Sequence, residues 1–156
     1  MKPFTFNKSL AVAFGWGILG TIGMSIIMII GKLTGIAPMP KPIPLAIVVE
    51  ILGKETVKPL LMGLAIIFHL GYGGFWGAVL SQITQTVTIK KSLLMGFALW
   101  IIMQLIVFPF LGWGVFAMEI TPKIAVASLI LHLLYGGILG WGLSRKQKMK
   151  KENINV

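Results

Sequence analysis

Four apolar runs, at about residues 10–31, 59–80, 92–114 and 123–143, each have the roughly 20-residue length that a helix needs to cross the hydrocarbon of a bilayer. They take up more than half of a 156-residue chain and leave no room for a soluble domain beside them. Only 12% of the residues are charged, so the rest of the chain cannot clothe an aqueous surface. A spanning segment must also satisfy its backbone polar groups within itself. The fold class expected is all-α: a polytopic membrane four-helix bundle, forming one integral membrane domain over residues 1–156.

The first run follows Lys2 and Lys8 as a signal peptide would. It is about 22 residues long, however, and ends at Gly31-Lys32 with no small-x-small cleavage site, so it is expected to stay as the first span. The absence of cysteine removes disulfides, thiol nucleophiles, iron–sulfur clusters and covalently attached haem.

A formal charge of +10 raises the question of nucleic acid, but the placement of the charges points to lipid. In a four-span topology nine basic residues (Lys2, Lys8, Lys90, Lys91, Arg145, Lys146, Lys148, Lys150 and Lys151) share one side, and five (Lys32, Lys41, Lys54, Lys58 and Lys123) share the other. That excess predicts a cell-membrane protein with both termini in the cytoplasm. The basic tail, 145–156, is expected to be disordered and to attract anionic headgroups, at about 1 kcal/mol per basic residue near the surface. No aromatic residue interleaves with it, so no nucleic-acid partner is expected.

Small residues four apart in the first run, Ala13, Gly17, Thr21 and Ser25, form a stripe suited to close helix packing in lipid. The long connection that follows contains Pro38-Met39-Pro40-Lys41-Pro42-Ile43-Pro44, an extended path by its prolines. Leu45 to Leu52 is apolar apart from Glu50 and too short to span. It is expected as a short interfacial helix or a re-entrant segment stopped by Gly53, acting as a lid or an anchor. In the third run Gly96, Trp100, Gln104, Phe108 and Gly112 recur at steps of four, and Pro109 predicts a kink near Ile106 to Pro109. Trp113 is expected at the outer interface.

One motif is written twice. His69-Leu70-Gly71-Tyr72-Gly73-Gly74-Phe75-Trp76-Gly77 returns 63 residues later as His132-Leu133-Leu134-Tyr135-Gly136-Gly137-Ile138-Leu139-Gly140, and these are the two histidines of the chain. The repeat predicts two helical hairpins related by an approximate internal two-fold, which makes the histidines equivalent. Counting from the ends of the runs puts Thr21, His69, Gln104 and His132 at one depth. Polar groups in hydrocarbon are costly unless they face inward and find partners, so a central polar layer is expected. Tyr72 and Tyr135 lie three residues beyond each histidine, and Gly73 and Gly136 leave bare backbone beside each ring.

Two readings of this layer stand open. In one, His69 and His132 are the metal-ligating residues, holding the iron of b-type haem, or another metal with help from Met24, Met28, Met62 or Met103. Gly73 and Gly136 then make room for the ring, and Tyr72, Tyr135, Thr21 and Gln104 complete the cofactor-binding set. In the other, Gly73-x-x-x-Gly77 and Gly136-x-x-x-Gly140 are packing motifs, and the histidines bond to Thr21, Gln104 or a backbone carbonyl. Enzymatic chemistry is poorly supported: the four acids, Glu50, Glu55, Glu119 and Glu152, all lie outside the runs, so no catalytic residue is assigned. The functions open are a non-catalytic ligand-binding membrane protein, an accessory or scaffold subunit that binds a membrane partner or a second copy through its glycine faces, and a small transporter or channel.

Gly20-Thr21 with Met24, Pro38, Leu52-Gly53, His69 with Gly73, then Gly96, Trp100, Met103, Pro109 and Gly112, then His132, Tyr135, Gly136 and Gly140 occur in this order. The pattern resembles a family of small four-span bacterial and archaeal membrane proteins of unknown function. The resemblance implies the four-helix fold and both histidine positions, and brings no activity or cofactor with it. Where that family favours an acidic residue after the loop proline, this chain has Pro40-Lys41-Pro42.

Overall fold

The structure, a computed structural model, describes residues 8–152; Lys2 and residues 153–156 of the expected tail lie outside the described residues. It is helical throughout, with no strand among the described residues. Helix α1 spans Lys8–Leu33, α2 Ile43–Leu52 and α3 Lys58–Ile83. Helix α4 spans Ile89–Phe110 and α5 Lys123–Glu152. Helices α1, α3, α4 and α5 are long and apolar enough to cross a membrane. Large apolar side chains such as Ile26, Ile30, Ile67, Ile106 and Ile130 stay exposed on their outer faces. Patches of that kind fit a lipid solvent rather than water.

The ends of the helices follow from the sequence. Helices α2 and α3 each begin with a proline in the first turn, Pro44 and Pro59, where the missing N–H costs nothing. The Thr88 hydroxyl caps α4 by accepting from the Lys91 N–H at 3.3 Å. Gly53 closes α2 at a φ of +85°, a conformation that a Cβ disfavours. Gly53→Ala should therefore lower stability by about 1–2 kcal/mol, read as a lower thermal midpoint in detergent.

The irregularity expected near Ile106 to Pro109 takes the form of a π turn over Met103–Val107, in which the Phe108 N–H bonds to Met103 O. Steps of four residues drift around an ordinary 3.6-residue helix, and one wider turn cancels part of the drift. Gly96 and Trp100, before the turn, and Gln104, at its start, all meet α5. Trp113 is not an interfacial anchor; it is 7% exposed and packs on Phe108, with ring centroids 5.4 Å apart.

The expected hairpins are present as packed pairs, α1 with α3 and α4 with α5, and α1 also packs along α5. A two-fold relating the hairpins would need a matching seam between α3 and α4. That seam is missing: α3 and α4 follow one another through residues 84–88 and yet do not pack along their length. The bundle is an open row, α3, α1, α5, α4, with α2 laid against α3 by Val48, Val49, Leu61 and Ala65.

The tail expected to be disordered from residue 145 instead continues α5 as helix to Glu152. Arg145, Lys146, Gln147, Lys148 and Met149 are good helix formers. The Arg145 guanidinium also lies 5.5 Å from the Trp141 ring, and Gln147 Oε1 accepts from the Val87 N–H at 3.1 Å, tying the tail to the 84–88 connection.

Candidate functional site

Each copy of the repeat first builds a helix seam. A Cβ on Gly77 would stand 2.5 Å from Ala13 O, and one on Gly73 would collide with Thr21 Oγ1. A Cβ on Gly136 would stand 2.5 Å from Ser92 O, and one on Gly140 2.8 Å from the Ile89 Cα. Gly73 and Gly77 thus bring α3 onto the small-residue stripe of α1, and Gly136 and Gly140 bring α5 onto α4. Gly71, Gly74 and Gly137 of the same motifs behave differently: Gly74 meets Phe14, whereas nothing stands within 4 Å of a Cβ at Gly71 or Gly137.

Where the missing α3–α4 seam would be, there is a cavity of about 530 Å³. Thr21, Met24 and Met28 of α1 form its floor, and Ile43, Ile47 and Val48 of α2 form one wall. Phe68, His69 and Tyr72 of α3 face Leu99, Ile102 and Met103 of α4 across it, and Leu131, His132 and Tyr135 of α5 close the back. No Lys, Arg, Asp or Glu lines it. Phe68, Tyr72 and Ile102 line the cavity and are also exposed at the outer surface, so its mouth is the gap between the two helices.

Six of the eight expected cofactor-binding residues line this cavity: Thr21, His69, Tyr72, Gly73, His132 and Tyr135. Gln104 and Gly136 do not. Gln104 is fully buried, but the stripe of α4 turns it to α5, where its Nε2 donates to Ser128 Oγ at 3.3 Å and its Oε1 has no partner. Gly136 is taken up by the contact with Ser92.

The polar groups differ in how well they are satisfied. Thr21 Oγ1 donates to Gly17 O of its own helix at 2.9 Å. The Tyr135 hydroxyl crosses to α3 and donates to Gly73 O at 2.6 Å, whereas Tyr72, its counterpart in the other repeat, is 46% exposed at the mouth. His132 Nδ1 lies 2.8 Å from Ser128 O. A carbonyl only accepts, so Nδ1 carries the proton, and in a neutral ring Nε2 keeps its lone pair. His69 Nε2 is buried with no partner. Tyr135→Phe should cost about 0.5–1.5 kcal/mol in thermal unfolding, the usual net value of one internal hydrogen bond.

Ser128 was not among the expected residues. Its hydroxyl accepts from Gln104 Nε2 and from Trp100 Nε1 at 3.3 Å, and donates to Ala125 O at 2.9 Å. Its carbonyl fixes the His132 ring. Its signal in the sequence is the spacing, since Ser128 stands one helical turn before His132. Removing the hydroxyl strands Gln104 Nε2, while Trp100 Nε1 keeps Ala125 O at 3.0 Å, so Ser128→Ala should lower the thermal midpoint more than Gln104→Met, which deletes an unsatisfied oxygen along with its bond.

Four helices long and apolar enough to cross a membrane, packed around an apolar chamber, are those of a polytopic helical bundle. No curated protein and no solved structure matches the chain. The sequence does match the profile of DUF6789, a family of unknown function, over residues 7–153, and the protein belongs to that family.

Proposed function

We propose that this is a non-catalytic membrane protein that holds a small ligand inside its bundle, in the cavity between α3 and α4, with His69 and His132 as the polar contacts. One observation carries the reading: both histidines line a charge-free chamber of about 530 Å³, and His132, its Nδ1 held by Ser128 O, keeps a lone pair on Nε2 for an occupant. The charge excess supports both termini in the cytoplasm of a cell-membrane protein, with the basic end of α5 at anionic headgroups.

Haem b fits the site in part. A backbone carbonyl on His132 Nδ1 orients the ring as in metal-ligating imidazoles and directs Nε2 outward. The lining offers no Lys or Arg to the propionates. A scaffold subunit is the rival reading. It would have to use outward glycines such as Gly63 and Gly71, because Gly77 and Gly140 are occupied within the bundle.

The test is native mass spectrometry and a visible spectrum on protein purified in mild detergent. A small molecule bound to the wild type and lost from the His69→Ala/His132→Ala variant supports the proposal, and a Soret band would name haem. Wild-type protein that carries no added mass contradicts it.

A further inference from the structure

The cavity also constrains the chemistry of what it takes, an inference that rests on the ligand-binding reading above. We infer that the occupant is a neutral lipophile bearing a hydroxyl group, drawn from the bilayer through the gap between α3 and α4. Three observations support this.

The chamber is open sideways. Phe68 and Ile102, on opposite sides of the gap, both line it and stand 63% and 40% exposed on apolar outer faces. A molecule dissolved among acyl chains therefore meets the opening without passing through water.

The chamber bears no charge. A carboxylate, phosphate or ammonium entering it would lose its hydration and find no counter-ion, which is prohibitive in an apolar medium. The walls from α2, contributed by Ile47 and Val48, suit a hydrocarbon body.

The polar atoms on offer are specific. Ser128 O fixes the tautomer of His132, so what that ring presents is an acceptor, Nε2. A carbonyl head, as in a quinone or an ester, cannot donate to it; a hydroxyl can. His69 also lines the chamber, but its Nε2 is buried away from the open space, so His132 is the ring that selects the head group. A methyl ether of the same shape would leave the His132 lone pair unpaired. Two bilayer components share this chemistry, the reduced isoprenoid quinols and the redox-silent lipid alcohols.

The test uses 4-nonylphenol and its methyl ether, 4-nonylanisole, as probes. Each is titrated into the full chain in phosphatidylcholine nanodiscs, with binding read from the rise in unfolding temperature. The phenol should bind roughly tenfold or more tightly than the ether, the ratio that a lost buried hydrogen bond gives. His132→Phe should bind both alike, and His132→Gln, which restores an acceptor, should recover the preference. Equal binding of phenol and ether to the wild type overturns the inference while leaving the ligand-binding reading intact. So does a Soret band, or a charged molecule in the mass spectrum. Protein that binds neither probe and carries no native mass overturns both. In organic extracts of the purified protein, an ultraviolet spectrum that changes on oxidation identifies a quinol, and a redox-silent hydroxylated mass identifies an alcohol.

Discussion

Gly77→Leu and Gly140→Leu should each abolish the folded monomer, while Gly71→Leu and Gly137→Leu in the same two motifs should leave it nearly unchanged. At the first pair the new side chain meets main-chain atoms of the neighbouring helix, 2.5 Å from Ala13 O at Gly77 and 2.8 Å from the Ile89 Cα at Gly140. Backbone in a packed helix cannot step aside, so the helices must separate. The cost should exceed the roughly 1–3 kcal/mol of ordinary overpacking. Gly71 and Gly137 have open space in front of them, and there leucine even has the better helix propensity. The readout is the monodisperse fraction on size exclusion in detergent, with thermal unfolding for the variants that survive. A packing motif used against a separate partner would give the opposite pattern, with folded variants that fail only to associate.

His69→Leu should make the ligand-free protein more stable and the protein worse at its task. The wild-type ring keeps Nε2 buried and unpartnered, a penalty of about 1–3 kcal/mol that an aliphatic side chain of similar bulk removes. The unfolding midpoint of the delipidated variant should rise by the corresponding few degrees, whereas its retained ligand should fall to background. A residue that lowers stability where it stands and is needed for binding is the expected signature of a functional position. If His69 served packing alone, the replacement would lower the midpoint and leave any bound mass unchanged.

Much of this architecture is legible in the residues. The four runs mark the starts of the four long helices to within three positions, because length and hydropathy decide whether a segment can cross a bilayer, although α5 runs nine residues past the fourth. Proline and glycine mark the ends of α2 at Pro44 and Gly53 for local steric reasons. Both histidines line one cavity, but the repeat alone does not place them there, since the two-fold it implies lacks its α3–α4 seam.

What is hidden depends on which helices choose each other. Matched repeats predict matched seams, yet α1 packs along α5 while α3 and α4 stay apart, and the cavity exists because of that inequality. Nothing local to His69 encodes it. The role of Gln104 is hidden for a different reason. Depth places it beside the histidines, but depth does not say which way a side chain faces, and Gln104 lies on the stripe of α4 that meets Ser128. The tail is helical although a charge run reads as solvated chain, because α5 carries it outward from Trp141 and Gln147.

The account stands most directly on both imidazoles facing one and the same chamber. With two histidines in the chain, selective ¹⁵N-histidine labelling gives a spectrum of two rings, and 4-nonylphenol can be titrated against it in nanodiscs. Both rings should shift along one binding curve with a shared midpoint, and Leu99→Trp, which fills the chamber, should silence both together. A shift confined to one ring, or two curves with separate midpoints, would contradict it.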